Sequence, residues 1–101
     1  MRQRNIKIPR QKIAEFCRRN HIRQLSLFGS VLRRDFGPDS DVDVLVEFEP
    51  GHTPGLALVT MEDELSALLG GFKVDLVMAK YLNHRIRERV LAESEVQYVQ
   101  R

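Results

Sequence analysis

Tryptophan is absent, and the aromatic complement is two tyrosines and five phenylalanines. None of these alternates with basic residues, so the chain lacks the stacking platform of a single-strand nucleic-acid binder. Cys17 is the one cysteine, which excludes an internal disulfide. No stretch approaches the roughly 18 consecutive apolar residues of a membrane-spanning helix. No apolar segment follows Met1, so no secretory signal is expected and the cytoplasm is the expected compartment. The basic N-terminal stretch contains no serine and runs straight into helical periodicity, which argues against a mitochondrial leader. Lys and Arg are missing altogether from residues 35–72, a stretch that holds nine acids.

The 101 residues are 43% apolar and 30% charged, the balance of one globular domain spanning residues 1–101. Folding at this size buries roughly 60% of the unfolded surface. A core is affordable, but a separate substrate-binding lobe is not. An enzyme of this size needs a partner or a second copy of the chain to complete its acceptor site. The formal net charge of +2 conceals a division: residues 1–24 carry eight basic side chains against Glu15 alone. Such an end either forms a solvated helix face, the expected case, or attracts nucleic acid or an acidic partner.

Pro9 suits a first helical turn, and Ile13, Phe16 and Cys17 repeat at i, i+3 and i+4, with Asn20 as the C-terminal cap. Cys17 therefore reads as core. Residues 25–28 form a short strand that stops at Gly29-Ser30, and a helical turn or two is expected from Ser30 to Phe36. Gly37-Pro38-Asp39 is a turn. From Asp41 to Glu49 the pattern alternates, with Val42, Val44, Val46 and Phe48 on one face. A helix is expected over 56–69, with Leu58, Met61, Leu65, Leu68 and Leu69 inward. A strand follows over 72–78, then a basic helix from Lys80 to Leu91 with Leu82, Ile86 and Val90 inward. Residues 96–99 suit an edge strand. The class is α+β, a small mixed sheet packed with helices.

Asp41 and Asp43 point to one side of their strand, with Cβ atoms roughly 6–7 Å apart. Either they are solvated strand-end charges, or a shared divalent cation removes their repulsion; Mg²⁺ favours carboxylate and phosphate oxygens. Asp75 is a third aspartate on the non-core face of a strand. If the two strands are neighbours, three carboxylates converge, as two-metal phosphoryl chemistry requires. Gly29-Ser30 lies at a strand-to-helix turn, where free N–H groups favour phosphate. Arg33 is placed to pair with phosphate or carboxylate oxygens. His21, His52 and His84 lack metal-ligand spacing and read as surface residues. Glu62-Asp63-Glu64 reads as a solvated helix face, and Tyr81 and Tyr98 as packing residues.

Gly29-Ser30, then Arg33, then Ser40-Asp41-Val42-Asp43, with Val74-Asp75-Leu76-Val77 later, resembles the signature of the polymerase-beta nucleotidyltransferase superfamily. The length resembles its minimal nucleotidyltransferase branch, and the likeness covers about residues 10–99. The resemblance implies the polymerase-beta-type fold. It implies that Gly29, Ser30, Arg33 and Ser40 bind the nucleotide, and that Asp41, Asp43 and Asp75 are both the catalytic set and the ligands of two Mg²⁺ ions. It further implies transfer of AMP from ATP to a hydroxyl, typically a tyrosine, of a partner HEPN-type ribonuclease toxin, making the chain the antitoxin of a type VII pair. Two alternatives remain: neutralisation of the partner by binding alone, and nucleotidyl transfer to a small molecule. Neither a membrane nor a nucleic acid is expected as a partner. Arg34 departs from the pattern, standing where many members have glycine; it either crowds the turn or adds a phosphate contact.

Overall fold

The computed structural model describes residues 6–33 and 36–100. Helix α1 (Arg10–Arg19) leads into strand β1 (Ile22–Phe28) and a 3₁₀ turn (Gly29–Leu32). Strand β2 (Val42–Phe48), helix α2 (Ala57–Leu68) and strand β3 (Val74–Met78) follow. A second 3₁₀ turn (Ala79–Tyr81), helix α3 (His84–Glu93) and strand β4 (Glu95–Val99) complete the order. The sheet runs β3-β2-β1-β4. β1 is antiparallel to β2 and β4, and β2 is parallel to β3, so the sheet is mixed as the sequence implied.

The parallel pair needs a crossover, and α2 supplies it. Met61, Leu65 and Leu69 bury against the sheet face that carries Val42, Val44, Val46, Val74, Leu76 and Met78. Leu58 and Leu68, expected inward, only flank this core. α1 covers the β1 side of the same face with Ile13, Phe16 and Cys17. Fully burying each large aliphatic or aromatic side chain here contributes about 1.5–3 kcal/mol. Asn20 caps α1 as expected, its Nδ2 donating to the Phe16 carbonyl at 2.8 Å. Leu45, on the opposite sheet face, is also buried, with Ser26 and Val77 as its register neighbours.

Two expectations need correction. The segment after Gly29 is not a helix reaching Phe36. The 3₁₀ turn ends where Arg33 turns extended, its N–H donating to the Ser30 carbonyl at 2.9 Å. The chain then returns Phe36 to the core beside Phe72, which an unbroken helix would not do. The last helix starts at His84 rather than Lys80. Asn83 is its N-cap, accepting the Arg85 N–H at 3.0 Å, and it resets the start after an extended Leu82. No residue of α3 is buried: Val90 is half-buried and Ile86 is 54% exposed.

Candidate active site

The register places the carboxylates. Phe28 pairs with Asp43, and Asp43 pairs with Asp75 on the parallel neighbour. Both aspartates point away from the core because Val42, Val44, Val74 and Leu76 occupy the inner positions. Asp41 stands two residues before Asp43, just outside β2. The Val42 N–H donates to the Lys73 carbonyl at 2.8 Å, which ties the Asp41 end of β2 to the residues leading into Asp75. The three carboxylates therefore share one end of the sheet.

The glycine turn closes over them. Gly29 has φ +74°, and a Cβ built there would overlap Asp43 Oδ2. Glycine is required twice, for the left-handed backbone and for the close approach. Ser30 Oγ donates to the Asp41 carbonyl at 3.2 Å, fastening the turn to the acidic strand. Ser40 shapes the approach to that strand: its N–H donates to the Gly37 carbonyl at 3.0 Å and its Oγ accepts the Gly37 N–H at 3.1 Å. That bond leaves the hydroxyl proton of Ser40 free to donate. Arg33 is exposed and near enough to Asp43 to lower its pKa. Arg34 lies outside the described residues.

Burial raises the pKa of Asp43, and the charges of Asp75 and Asp41 push it further in the same direction against the opposing pull of Arg33. Among the described residues, no hydrogen-bond donor meets the side chains of Asp41, Asp43 or Asp75. Asp41, Asp43 and Asp75 lie at one sheet end, though their carboxylate oxygens do not all come within 4.8 Å of one another; a divalent cation between them would offset the like-charge part of the shift at Asp43. Carboxylate oxygens are the donor type that a hard cation such as Mg²⁺ takes.

Sequence reading missed one supporting residue. Glu62 is not merely a solvated charge of α2: its Oε2 accepts the Leu76 N–H at 2.9 Å, on the outer edge of β3 next to Asp75. Glu64 pairs with Arg19 of α1 at the surface, so it remains part of the solvated face. The residue types gave no signal for either contact, because both depend on how α2 packs.

Residues 11–100 match the family described as Polymerase beta, Nucleotidyltransferase. The protein adenylyltransferase MntA of Thermococcus cleftensis is 42% identical over 80 residues, covering 78% of each chain. A solved structure assigned as a minimal nucleotidyltransferase superposes with TM-score 0.71 at 39% identity, over 84% of this chain and 85% of that one. A toxin–antitoxin complex with AMP-PNP superposes with TM-score 0.73 at 20% identity, over 92% of this chain and 75% of that one; this likeness speaks to the fold. The chain belongs to the polymerase-beta nucleotidyltransferase family. Within it, the chain is a homologue of the MntA protein adenylyltransferase.

Proposed function

We propose that the protein transfers AMP from ATP to a hydroxyl, a tyrosine, of a HEPN-type toxin and acts as the antitoxin of that pair. The observation that carries this reading is the row Phe28–Asp43–Asp75, with Asp41 beside it and the Gly29-Ser30 turn closing over it. Asp41, Asp43 and Asp75 would hold Mg²⁺, two ions in the full site, which neutralises the triphosphate and the charge developing on the leaving pyrophosphate. Gly29, Ser30, Arg33 and Ser40 position the phosphates. The acceptor oxygen attacks the α-phosphorus, the bond from that phosphorus to the bridging oxygen breaks, and pyrophosphate leaves. Asp75, the most open of the strand acids, receives the hydroxyl proton.

A protein acceptor suits the small size of the chain, because it brings its own surface to the site. α3 has no buried residue and exposes Ile86 and Leu91, which supports a partner-binding role for this side of the molecule. No described helix is long and apolar enough to cross a membrane.

Intact-protein mass spectrometry of the co-expressed adjacent gene product tests the reading, with Mg²⁺ and ATP. The expected result is a gain of one or more AMP units with the wild type and none with Asp41→Asn/Asp43→Asn. A stable complex with no mass gain in either case would replace transfer by neutralisation through binding.

A further inference from the structure

The other end of the same strand carries a second cluster of donors. Glu49 follows β2 directly, about 20 Å along the strand from Asp43 at its usual rise. His21 lies between α1 and β1, and His52 in the loop after β2. One donor atom from each of His21, Glu49 and His52 lies within 4.8 Å of the other two. The histidines gave no metal spacing in sequence, because His21 comes from a segment distant from the loop that carries Glu49 and His52.

The main chain holds the three in place. The Glu49 N–H donates to the His21 carbonyl at 2.8 Å, and the His52 N–H donates to the Glu49 carbonyl at 3.0 Å. Gln100 Nε2 donates to Glu49 Oε2 at 3.1 Å, which orients the carboxylate and turns Oε1 toward His21 Nδ1, 4.0 Å away. That separation is too long for a hydrogen bond. His21 also holds φ 57°, the one non-glycine residue described in the left-handed region. Such a conformation costs of order 1 kcal/mol and persists where surroundings over-determine it. The two imidazoles stack with centroids 3.9 Å apart and planes 12° from parallel.

We infer that His21, Glu49 and His52 form a binding site for a divalent cation of the zinc class, separate from the carboxylate site. Two imidazoles and one carboxylate are a common donor set for Zn²⁺, with water completing the tetrahedron. Donors bound at about 2.0–2.2 Å stand roughly 3.4 Å apart in a tetrahedron. The present separations, none beyond 4.8 Å, would therefore have to close, and the imidazoles would turn out of their stack so that their nitrogen lone pairs meet. All three side chains reach solvent or the surface, so the movement is a change of side-chain torsions. The bound ion would pin the 50–55 loop to the start of β1.

The test uses the full chain, stripped with EDTA and dialysed, carrying Asp41→Asn/Asp43→Asn to silence the carboxylate site. Zn²⁺ is titrated by calorimetry in excess Mg²⁺, and Co²⁺ is added separately to read tetrahedral d–d absorption. The expected result is one equivalent bound, weakened at least tenfold by His52→Ala and by His21→Asn, and unchanged by His84→Ala. Asn is chosen at position 21 because it tolerates a positive φ; circular dichroism confirms that each variant is folded. Binding that His52→Ala and His21→Asn leave unchanged, or no binding tighter than 100-micromolar order, overturns the inference. Glu49→Gln separates ligation from mere stacking: it leaves the ring stack in place and should still lower the affinity and the Co²⁺ absorption.

Discussion

Asp43 and Asp75 face each other as direct register partners on adjacent parallel strands, both pointing out of the core. Like charges placed directly opposite in a sheet are destabilising, by about 0.2–1 kcal/mol. The arrangement makes a specific forecast about stability.

Metal-free Asp43→Asn should melt higher than the metal-free wild type, by about 1–6 °C for a domain of this size. The variant should also lose AMP transfer. The pH dependence follows from the raised pKa of Asp43. A carboxyl whose folded pKa is raised burdens the fold fully above that raised value. The burden fades as pH falls through it and is gone below the ordinary aspartate value of 3.8. Thermal melts of the two proteins at several pH values should show the advantage of the variant shrinking toward acid. An equal advantage at every pH would remove the electrostatic explanation.

Gly29→Ala should damage the site more than the fold. Its backbone penalty is about 1–2 kcal/mol, from forcing alanine into φ +74°. The added methyl must also displace the Asp43 carboxylate. We expect at least a tenfold loss of transfer, with a urea midpoint lowered by no more than that backbone penalty implies. Transfer kinetics and urea melts on one preparation check both halves.

Glu62→Ala should leave the Leu76 N–H without its partner on the outer edge of β3. The cost of an unsatisfied edge donor is about 1–3 kcal/mol. Amide exchange at Leu76 should quicken, and transfer should slow because Asp75 loses its neighbouring anchor. Glu62→Gln keeps an acceptor oxygen and should recover most of both. If Gln performs no better than Ala, the bond is not what holds the strand.

Cys17 should be inert in the folded protein. It is fully buried, and desolvation pushes its thiol up to about 12. Labelling with a disulfide reagent at pH 8 should proceed only at the rate of global opening. Rapid labelling of native protein would contradict the packing.

Ser26→Ala should be neutral or stabilising. Its hydroxyl is buried with no hydrogen-bond partner among the described residues, and removing an unpaired polar group recovers its desolvation cost. Denaturant melts decide this.

Much of the architecture was legible because apolar alternation is a direct record of which strand face is buried. Val42, Val44 and Val46 announced β2, and their partners Val74 and Leu76 announced β3. The outward aspartates were readable for the same reason. The boundaries of the helix before Phe36 and of α3 were less legible, since extended residues at Arg33 and Leu82 break patterns that looked continuous. The contact of Glu62 with Leu76, and the meeting of His21 with the loop that carries Glu49 and His52, left no trace in spacing. Each joins segments apart in sequence that only the packed fold brings together.

The parallel pairing of β2 with β3 also orders the events of folding. β1 and β2 pair antiparallel across a connection of modest length, whereas Asp43 meets Asp75 only after a crossover of 32 residues closes (75 − 43). Closing that loop costs about 3 kcal/mol in chain entropy by the logarithmic rule. A nascent chain should therefore form its hairpin first and dock β3 late, against the repulsion of the acids it brings together. Magnesium should then accelerate the final docking step, and refolding of the metal-free chain should be slower at neutral pH than in mild acid.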